Sequence, residues 1–317
     1  MKQAFALAHL SDPHLSFPKR VALRELLNKR AYGYLMWCLR RRFEHRSRVL
    51  AALLEDLQCA RPDHLVITGD LTHLSLPVEF RRAERWLHSL GPPSQVTVIP
   101  GNHDAYVATP WDRTLGLCAE YMISDAGQSA SKGRIDPGTL FPIVRIRNKI
   151  ALIGVCTARP SVPFLAVGTI GQGQLKKLEK ILAYTGRQSL FRVVLIHHPP
   201  VAGTVAWRKR LTDGTAFRSV LARHGAELVL HGHAHSTSFT QVETVVGTVP
   251  AIGVPSASSL SRKPWRRARY HIYSLIKNTH GWRLEVFVRG YSLEKERFIE
   301  QGKSHFVLRR PMVCHPR

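Results

Sequence analysis

The sequence predicts an α/β fold with a largely buried sheet, and three observations carry that prediction. Six short apolar runs read as strands. Four amphipathic stretches between them read as helices. Beyond residue 240 the pattern turns to β-rich runs. The 317 residues are 44% hydrophobic and 21% charged, a globular balance that excludes a disordered chain, a fibrous repeat and a disulfide mini-protein.

The elements follow in order. The run 4-AFALAHLS-11 is the first strand. In 47-SRVLAALLEDLQCA-60 the apolar positions 49, 50, 53, 54 and 57 recur at helical spacing, with Ser47 as N-cap. Strands at 64–69 and 96–100 enclose a helix at 78–90, and strands at 149–155, 192–197 and 227–232 alternate with helices at 172–184 and 214–225. The runs 242–246, 249–254, 269–276 and 282–290 read as further strands, so the expected architecture is one layered domain over 1–317. Two segments fit this plan poorly. A basic amphipathic insert occupies about 17–46, and a Gly/Ser/Pro-containing connection spans 105–142. Connections this long are usually lids or disorder.

Charge is the unusual number. The 46 Lys and Arg exceed the 22 Asp and Glu by 24. Residues 19–48 hold ten basic and two acidic side chains, and residues 256–317 hold fourteen and four, so these two segments carry 18 of the excess charges. Such a distribution favours an anionic partner: nucleic acid, anionic lipid or a phosphorylated substrate. No apolar run approaches the ~18–20 residues that span a bilayer. His9 and Asp12 interrupt the N-terminal run too soon for a signal peptide, which reads as a cytoplasmic protein. Cys38, Cys59, Cys118, Cys156 and Cys314 are odd in number and contain no CxxC, which reads as reduced thiols rather than a disulfide framework or a cysteine zinc site.

The chemistry lies just after the strands. The first ends in Asp12-Pro13-His14, the second in Gly69-Asp70, the third in Gly101-Asn102-His103-Asp104, a later one in His197-His198-Pro199-Pro200, and the last in His231-Gly232-His233-Ala234-His235. Ligands of open α/β sheets bind outside the carboxyl ends of the strands, so five ends deliver Asp, Asn and His to one rim. Imidazole nitrogen with carboxylate or amide oxygen, without thiolate, suits first-row divalent metals. Seven ligands around a bridging Asp is the inventory of a two-metal site. The glycines beside Asp70, Asn102 and His233 are expected to let the chain turn sharply there. Each fragment alone is weak; the ordered set D-x-H, G-D-L, G-N-H-D, H-H-P-P and G-H-x-H is specific.

With these blocks in place over roughly residues 4–240, the chain resembles the calcineurin-like metallophosphoesterase family. The resemblance implies a four-layer αββα sandwich with a binuclear centre of divalent ions: Mn, Fe or Zn, with Mn favoured. It implies that Asp12, His14 and His235 hold the first metal, that Asn102, His197 and His233 hold the second, and that Asp70 bridges them. His103 would be the catalytic histidine, able when protonated to stabilise or protonate the leaving oxygen. In H-H-P-P the family ligand is generally the first His, hence His197 rather than His198. Pro13 stands where many members carry an apolar residue. His198 and His231 flank the ligands, whereas Arg159 and Trp207 read as surface residues and His9 and His224 as structural or exposed.

The motifs fix a reaction type, and the insert is the clue to substrate. The stretch 19–48 mixes Leu, Tyr, Met, Trp and Phe with a dense basic face, and 262-RKPWRRARY-270 repeats the mixture. An ordinary helix pair packed on the core is one reading. An interfacial element on an anionic membrane surface is the other. The second resembles the UDP-2,3-diacylglucosamine pyrophosphohydrolase branch of the family, which implies a lipid-linked nucleotide as the favoured substrate. The alternative is a cyclic-nucleotide phosphodiesterase. Nucleic-acid binding or nuclease action is not favoured, since no helix-turn-helix, zinc-finger or RNP-like motif is visible.

Overall fold

A computed structural model describes residues 4–15, 17, 21–125, 137–244, 247–279 and 281–309. Its strands are β1 (Phe5–Leu10), β2 (His64–Ile67), β3 (Val96–Val98), β4 (Ile143–Arg147), β5 (Ile150–Gly154), β6 (Phe191–Leu195), β7 (Leu228–His231), β8 (Ser238–Thr244), β9 (Gly247–Gly253), β10 (Arg269–Asn278), β11 (Gly281–Tyr291) and β12 (Phe298–Arg309). They form two six-stranded sheets, ordered β12-β11-β10-β1-β2-β3 and β4-β5-β6-β7-β9-β8. The main helices are α1 (Ser47–Ala60), α2 (Pro77–Leu90), α3 (Gln172–Arg187) and α4 (Gly214–His224).

Strand periodicity sorts the apolar side chains into layers. In the second sheet, Leu152, Val193, Leu195, Leu228 and Leu230 join the core cluster that also holds the first sheet and Val49, Leu53, Phe80 and Leu87 of α1 and α2. Their alternates Ala151, Ile153, Val194, Ile196 and Val229 pack instead with Leu175, Leu178 and Leu182 of α3 and Phe217 and Leu221 of α4. The result is helix, sheet, sheet, helix: the four layers expected. Strands β1, β2 and β3 run parallel, as do β5, β6, β7 and β9, so their carboxyl ends collect at one rim.

Several expectations are corrected. Ser47 is not the N-cap of α1. Arg46 takes that position with extended backbone and no side-chain cap bond, because its N–H is held at 3.0 Å by the Ser258 carbonyl. Strands β4 and β12 were not foreseen. β4 reads IVRIR, and its Arg145 looks like a solvent residue. Instead Arg145 is buried and donates to the carbonyls of Ile123, Val96 and Glu120 at 2.7 Å each, fastening the 105–142 connection to the sheet. That connection contains 3-10 turns at Trp111–Arg113 and Leu115–Met122, while the expected lid falls partly on 126–136, outside the described residues. The strand expected at 242–246 begins earlier, at Ser238, and residues 245–246 lie outside the description.

The insert is helical over Arg30–Glu44, with a π turn at Trp37–Arg41. Its inner face packs Phe17, Tyr34 and Trp37 on Leu74, Leu76 and Tyr106. Buried Arg30 donates to the Leu74 and Ser75 carbonyls at 2.9 and 2.6 Å. Among the described residues no helix is long and apolar enough to cross a membrane, and Cys38, Cys59, Cys118 and Cys156 are free thiols.

Candidate metal centre

The strand ends do converge. Asp12, His14, Asp70 and His235 each offer one ligand atom, all within 4.8 Å of one another, and Asp70, His197 and His233 form a second such group. Asp70 belongs to both. Its Oδ2 lies 3.7 Å from His14 Nε2, and its Oδ1 lies 3.5 Å from His197 Nε2. Asn102 Oδ1 is 3.1 Å from His197 Nε2, and His235 Nε2 is 3.1 Å from Asp12 Oδ1.

The backbone that holds them is strained. Asp12, His14, Asp70, His233 and His235 all take positive φ, between 40° and 65°. Such conformations cost ~1–3 kcal/mol each and persist where surrounding structure over-determines them. Here backbone bonds do so: Asp12 N–H donates to the Gly69 carbonyl at 2.9 Å and His14 N–H to the Asp70 carbonyl at 3.0 Å. Gly69, at φ 98°, makes the turn the sequence suggested. Gly101 and Gly232 do not share that conformation. They are needed for close approach, since a Cβ on Gly101 would strike Asp70 Oδ1 and one on Gly232 would strike the Ser11 hydroxyl.

Ring orientations are fixed from outside the cluster. The Thr72 carbonyl lies 2.9 Å from His14 Nδ1, and the Thr68 carbonyl lies 2.6 Å from His197 Nδ1. Each leaves an Nε2 lone pair facing Asp70. The Lys209 carbonyl sits 3.0 Å from His233 Nε2 and leaves Nδ1 for the cluster. By contrast both nitrogens of His198 are engaged, with Thr157 Oγ1 at 2.7 Å and the Ala166 carbonyl at 3.1 Å. His231 is buried with Ser238 Oγ 3.4 Å from its Nε2, His9 bonds Thr68, and His224 pairs with Glu179.

Protonation follows burial. Burial above all pushes His14, His197 and His233 below the ordinary imidazole value, so all three are neutral, the form that binds metal. Burial, then the Asp12 and Asp104 carboxylates, push the Asp70 carboxyl well above the usual range. Burial also opposes charge on Asp12, yet His235, by its charge and hydrogen bond, holds that carboxyl well below the usual range. Asp70 Oδ2 is buried and accepts no hydrogen bond. Neutral imidazoles around crowded carboxylates with a donor-free oxygen fit divalent cations: positive charge is what the cluster lacks.

His103 stands beside the cluster. Its N–H donates to Asp70 Oδ1 at 2.7 Å and its Nδ1 meets the His73 carbonyl at 2.6 Å. Burial first, then Arg41 and His14, pushes it well below the ordinary value, so it is neutral here and the acid role expected of it needs a proton taken up with substrate. Asp104 ties the loops together: Oδ2 accepts Gly101 N–H and Oδ1 accepts Thr72 N–H, both at 2.9 Å.

Sequence reasoning missed four neighbours. The His45 ring lies 4.5 Å from that of His14, tilted by 60°, and could join His14 and His235 around an ion. His73 stacks 5.0 Å from His14, and Arg41 reaches His103. Lys209 supplies the carbonyl on His233. No motif marks them, because they lie outside the strand-end blocks or, like His73, three residues beyond one. Arg159 is exposed, as expected. It lines a cavity of about 530 Å³ beside the rim, with Pro100, Asp104, Val107, Trp111 and Cys156. Trp207 is exposed, as expected.

These features define a class. The model of the calcineurin-like phosphoesterases matches residues 5–237, and the chain belongs to that family. It is a metal-dependent phosphoester hydrolase by family and by relatives. The chain is 28% identical over 239 residues to a probable cyclic nucleotide phosphodiesterase of Synechococcus sp., covering 74% of this chain and 80% of that protein. It is 27% identical over 256 residues to a cAMP/cGMP dual specificity phosphodiesterase of Mycobacterium tuberculosis, covering 78% and 67%. A solved dimetal phosphatase from Danio rerio shares the fold with a TM-score of 0.55 at 14% identity, over 93% of this chain and 98% of that one.

Proposed function

We propose that this centre holds two divalent ions, manganese favoured, and cleaves a phosphodiester or pyrophosphate bond. Asp12, His14 and His235 hold one ion, Asn102, His197 and His233 hold the other, and Asp70 spans both. The observation that carries this reading is Asp70 itself, a buried carboxylate aimed at His14 on one side and His197 on the other. When bound, the ions supply charge neutralisation and an activated water. The chain's residues do the rest. The Thr68 and Thr72 carbonyls select the ring tautomers. Asp70 positions His103 through its backbone N–H. Nδ1 of His103 donates to the His73 carbonyl, and Nε2 takes a proton from solvent when an anionic substrate offsets Arg41, then gives it to the leaving oxygen. Such proton transfer is worth ~10²–10⁴ in rate.

The favoured substrate is a lipid-linked nucleotide such as UDP-2,3-diacylglucosamine, taken at an anionic membrane surface. What supports this is the outer face of the insert. Leu23, Leu27, Leu35, Leu39 and Phe43 are exposed there, among Arg24, Arg40 and Arg42. Val162 and Phe164 extend the patch, with Phe164 packed 4.9 Å from Tyr32. Interfacial helices mix apolar and basic residues in this way, and each basic residue near an anionic surface contributes ~1 kcal/mol. A second reading, hydrolysis of a cyclic nucleotide, is favoured by what the relatives are named for and by a rim cavity of small-molecule size.

Truncating the insert cannot separate these readings, since Arg41 and His45 reach the centre from it. Substituting the outer face can. Manganese-loaded protein is offered UDP-diacylglucosamine in anionic vesicles and, separately, 3′,5′-cAMP. The lipid reading expects UMP release that collapses when Leu23, Leu27, Leu35 and Leu39 become Ser. No UMP above the chelated control, with brisk cAMP turnover indifferent to those changes, contradicts it.

A further inference from the structure

Arg41 is a cation without a counter-ion of its own. The residue is half-buried, and desolvation pushes its pKa down. Nη1 lies 3.1 Å from Nε2 and 3.3 Å from Nδ1 of His103. A nitrogen that near to both cannot align with both lone pairs, which diverge in the ring plane, and Nδ1 already meets the His73 carbonyl. Among the described residues no carboxylate pairs with Arg41, and no other side chain or carbonyl accepts its N–H groups.

Other buried arginines behave differently. Arg30 and Arg145 spend their donors on carbonyls, and Arg192 forks onto Glu227 at 2.7 and 3.0 Å. Arg41 instead stands at the rim beside His103 with its remaining N–H groups on no carboxylate or carbonyl of the described residues, which leaves the guanidinium free to take an anionic ligand. The neighbourhood says which kind. Asp70 and Glu44 both favour the charge on Arg41, and Lys209 and Arg266 are close enough to act on each other's field, Lys209 being also near Asp12 and Asp70. Cations from the insert, the 199–213 loop and the 256–268 loop thus crowd one rim, as a polyanionic group requires. A guanidinium fork matches two oxygens of a phosphoryl group in geometry and charge.

We propose that Arg41 grips the non-bridging oxygens of the substrate's phosphoryl group at this centre, so that the insert completes the active site. This assignment rests on the two-metal reading above. It makes the insert a substrate-binding element whatever the leaving group carries.

Orthophosphate is the probe. Manganese-loaded wild type, Arg41→Gln and Arg41→Lys are titrated calorimetrically with orthophosphate, and their metal content and p-nitrophenyl phosphate hydrolysis are measured alongside. The expected result is full metal content in both variants, at least tenfold weaker orthophosphate binding in Arg41→Gln with partial recovery in Arg41→Lys, and a fall in kcat/KM of about 10² in Arg41→Gln. Unchanged orthophosphate affinity in Arg41→Gln overturns the assignment, as does equal loss in Arg41→Lys. If Arg41→Gln fails to fold, the Arg41→Lys titration decides alone: wild-type affinity there overturns the fork. Asp70→Asn is run in parallel. If it keeps both ions and hydrolysis, the two-metal reading fails instead.

Discussion

Replacing Asp70 by Asn should cripple the metal centre and yet stabilise the ion-free protein. Asp70 and Asp12 offer oxygens within 4.8 Å of each other. Two unit charges at that separation repel by ~3 kcal/mol at an effective dielectric constant of about 20. Asparagine removes that repulsion. Its Oδ1 can still accept the His103 N–H, now 2.7 Å away, although a neutral acceptor forfeits ~1 kcal/mol of the charge-assisted bond. The position has φ 58°, a left-handed conformation that Asn adopts readily, so no new strain is added. The balance is a gain of ~1–2 kcal/mol in the absence of metal. Denaturant unfolding at pH 8 with chelator present, wild type beside Asp70→Asn, measures it. Elemental analysis of both after manganese loading measures the cost to the centre. An Asp70→Asn protein that is less stable under chelation, or that retains two ions per chain, would refute the reasoning.

The remaining predictions concern separate parts of the molecule. His103→Ala should keep both ions and slow turnover by ~10²–10⁴; unchanged turnover removes the role given to that imidazole. His64 lies outside the centre, its Nε2 2.7 Å from Thr97 Oγ1, and burial followed by Arg147 and Arg145 pushes it down to about 3. The unfolded chain takes up a proton near pH 6.5 that the folded state refuses, so this contribution is complete above that value and is lost as pH falls toward 3. Between pH 7 and pH 5, wild type should lose ~2 kcal/mol that His64→Gln does not, as urea titrations at the two pH values would reveal. Arg145→Leu should cost ~3–5 kcal/mol by orphaning the carbonyls it feeds, and a change below 1 kcal/mol in thermal or chemical unfolding would mean those carbonyls find other donors.

The ligand blocks were legible because each follows an apolar run whose end is set by local pattern. Parallel pairing sets the ends of β1 and β2 side by side in one sheet and those of β6 and β7 in the other, and the face-to-face packing of the two sheets brings Asp12, Asp70, His197 and His233 to one rim. Arg41 and His45 were not legible. They depend on the path of the insert, which Arg30, Phe17 and Trp37 fix through contacts distant in sequence, and no periodicity encodes such contacts. Likewise β4 hid behind Arg145, whose burial depends on the carbonyls of two other loops. The charge count misled in one respect. Arg30 and Arg41 were counted in the basic face read as meeting an anionic partner, but one anchors the insert and the other reaches His103 at the centre.

The account stands most directly on how many ions this chain binds. Protein stripped with chelator, reloaded with manganese and freed of excess by gel filtration should carry two ions per chain by elemental analysis, and Asp12→Asn and His197→Ala should each carry fewer. No retained ion in the wild type, or two in both variants, would contradict it.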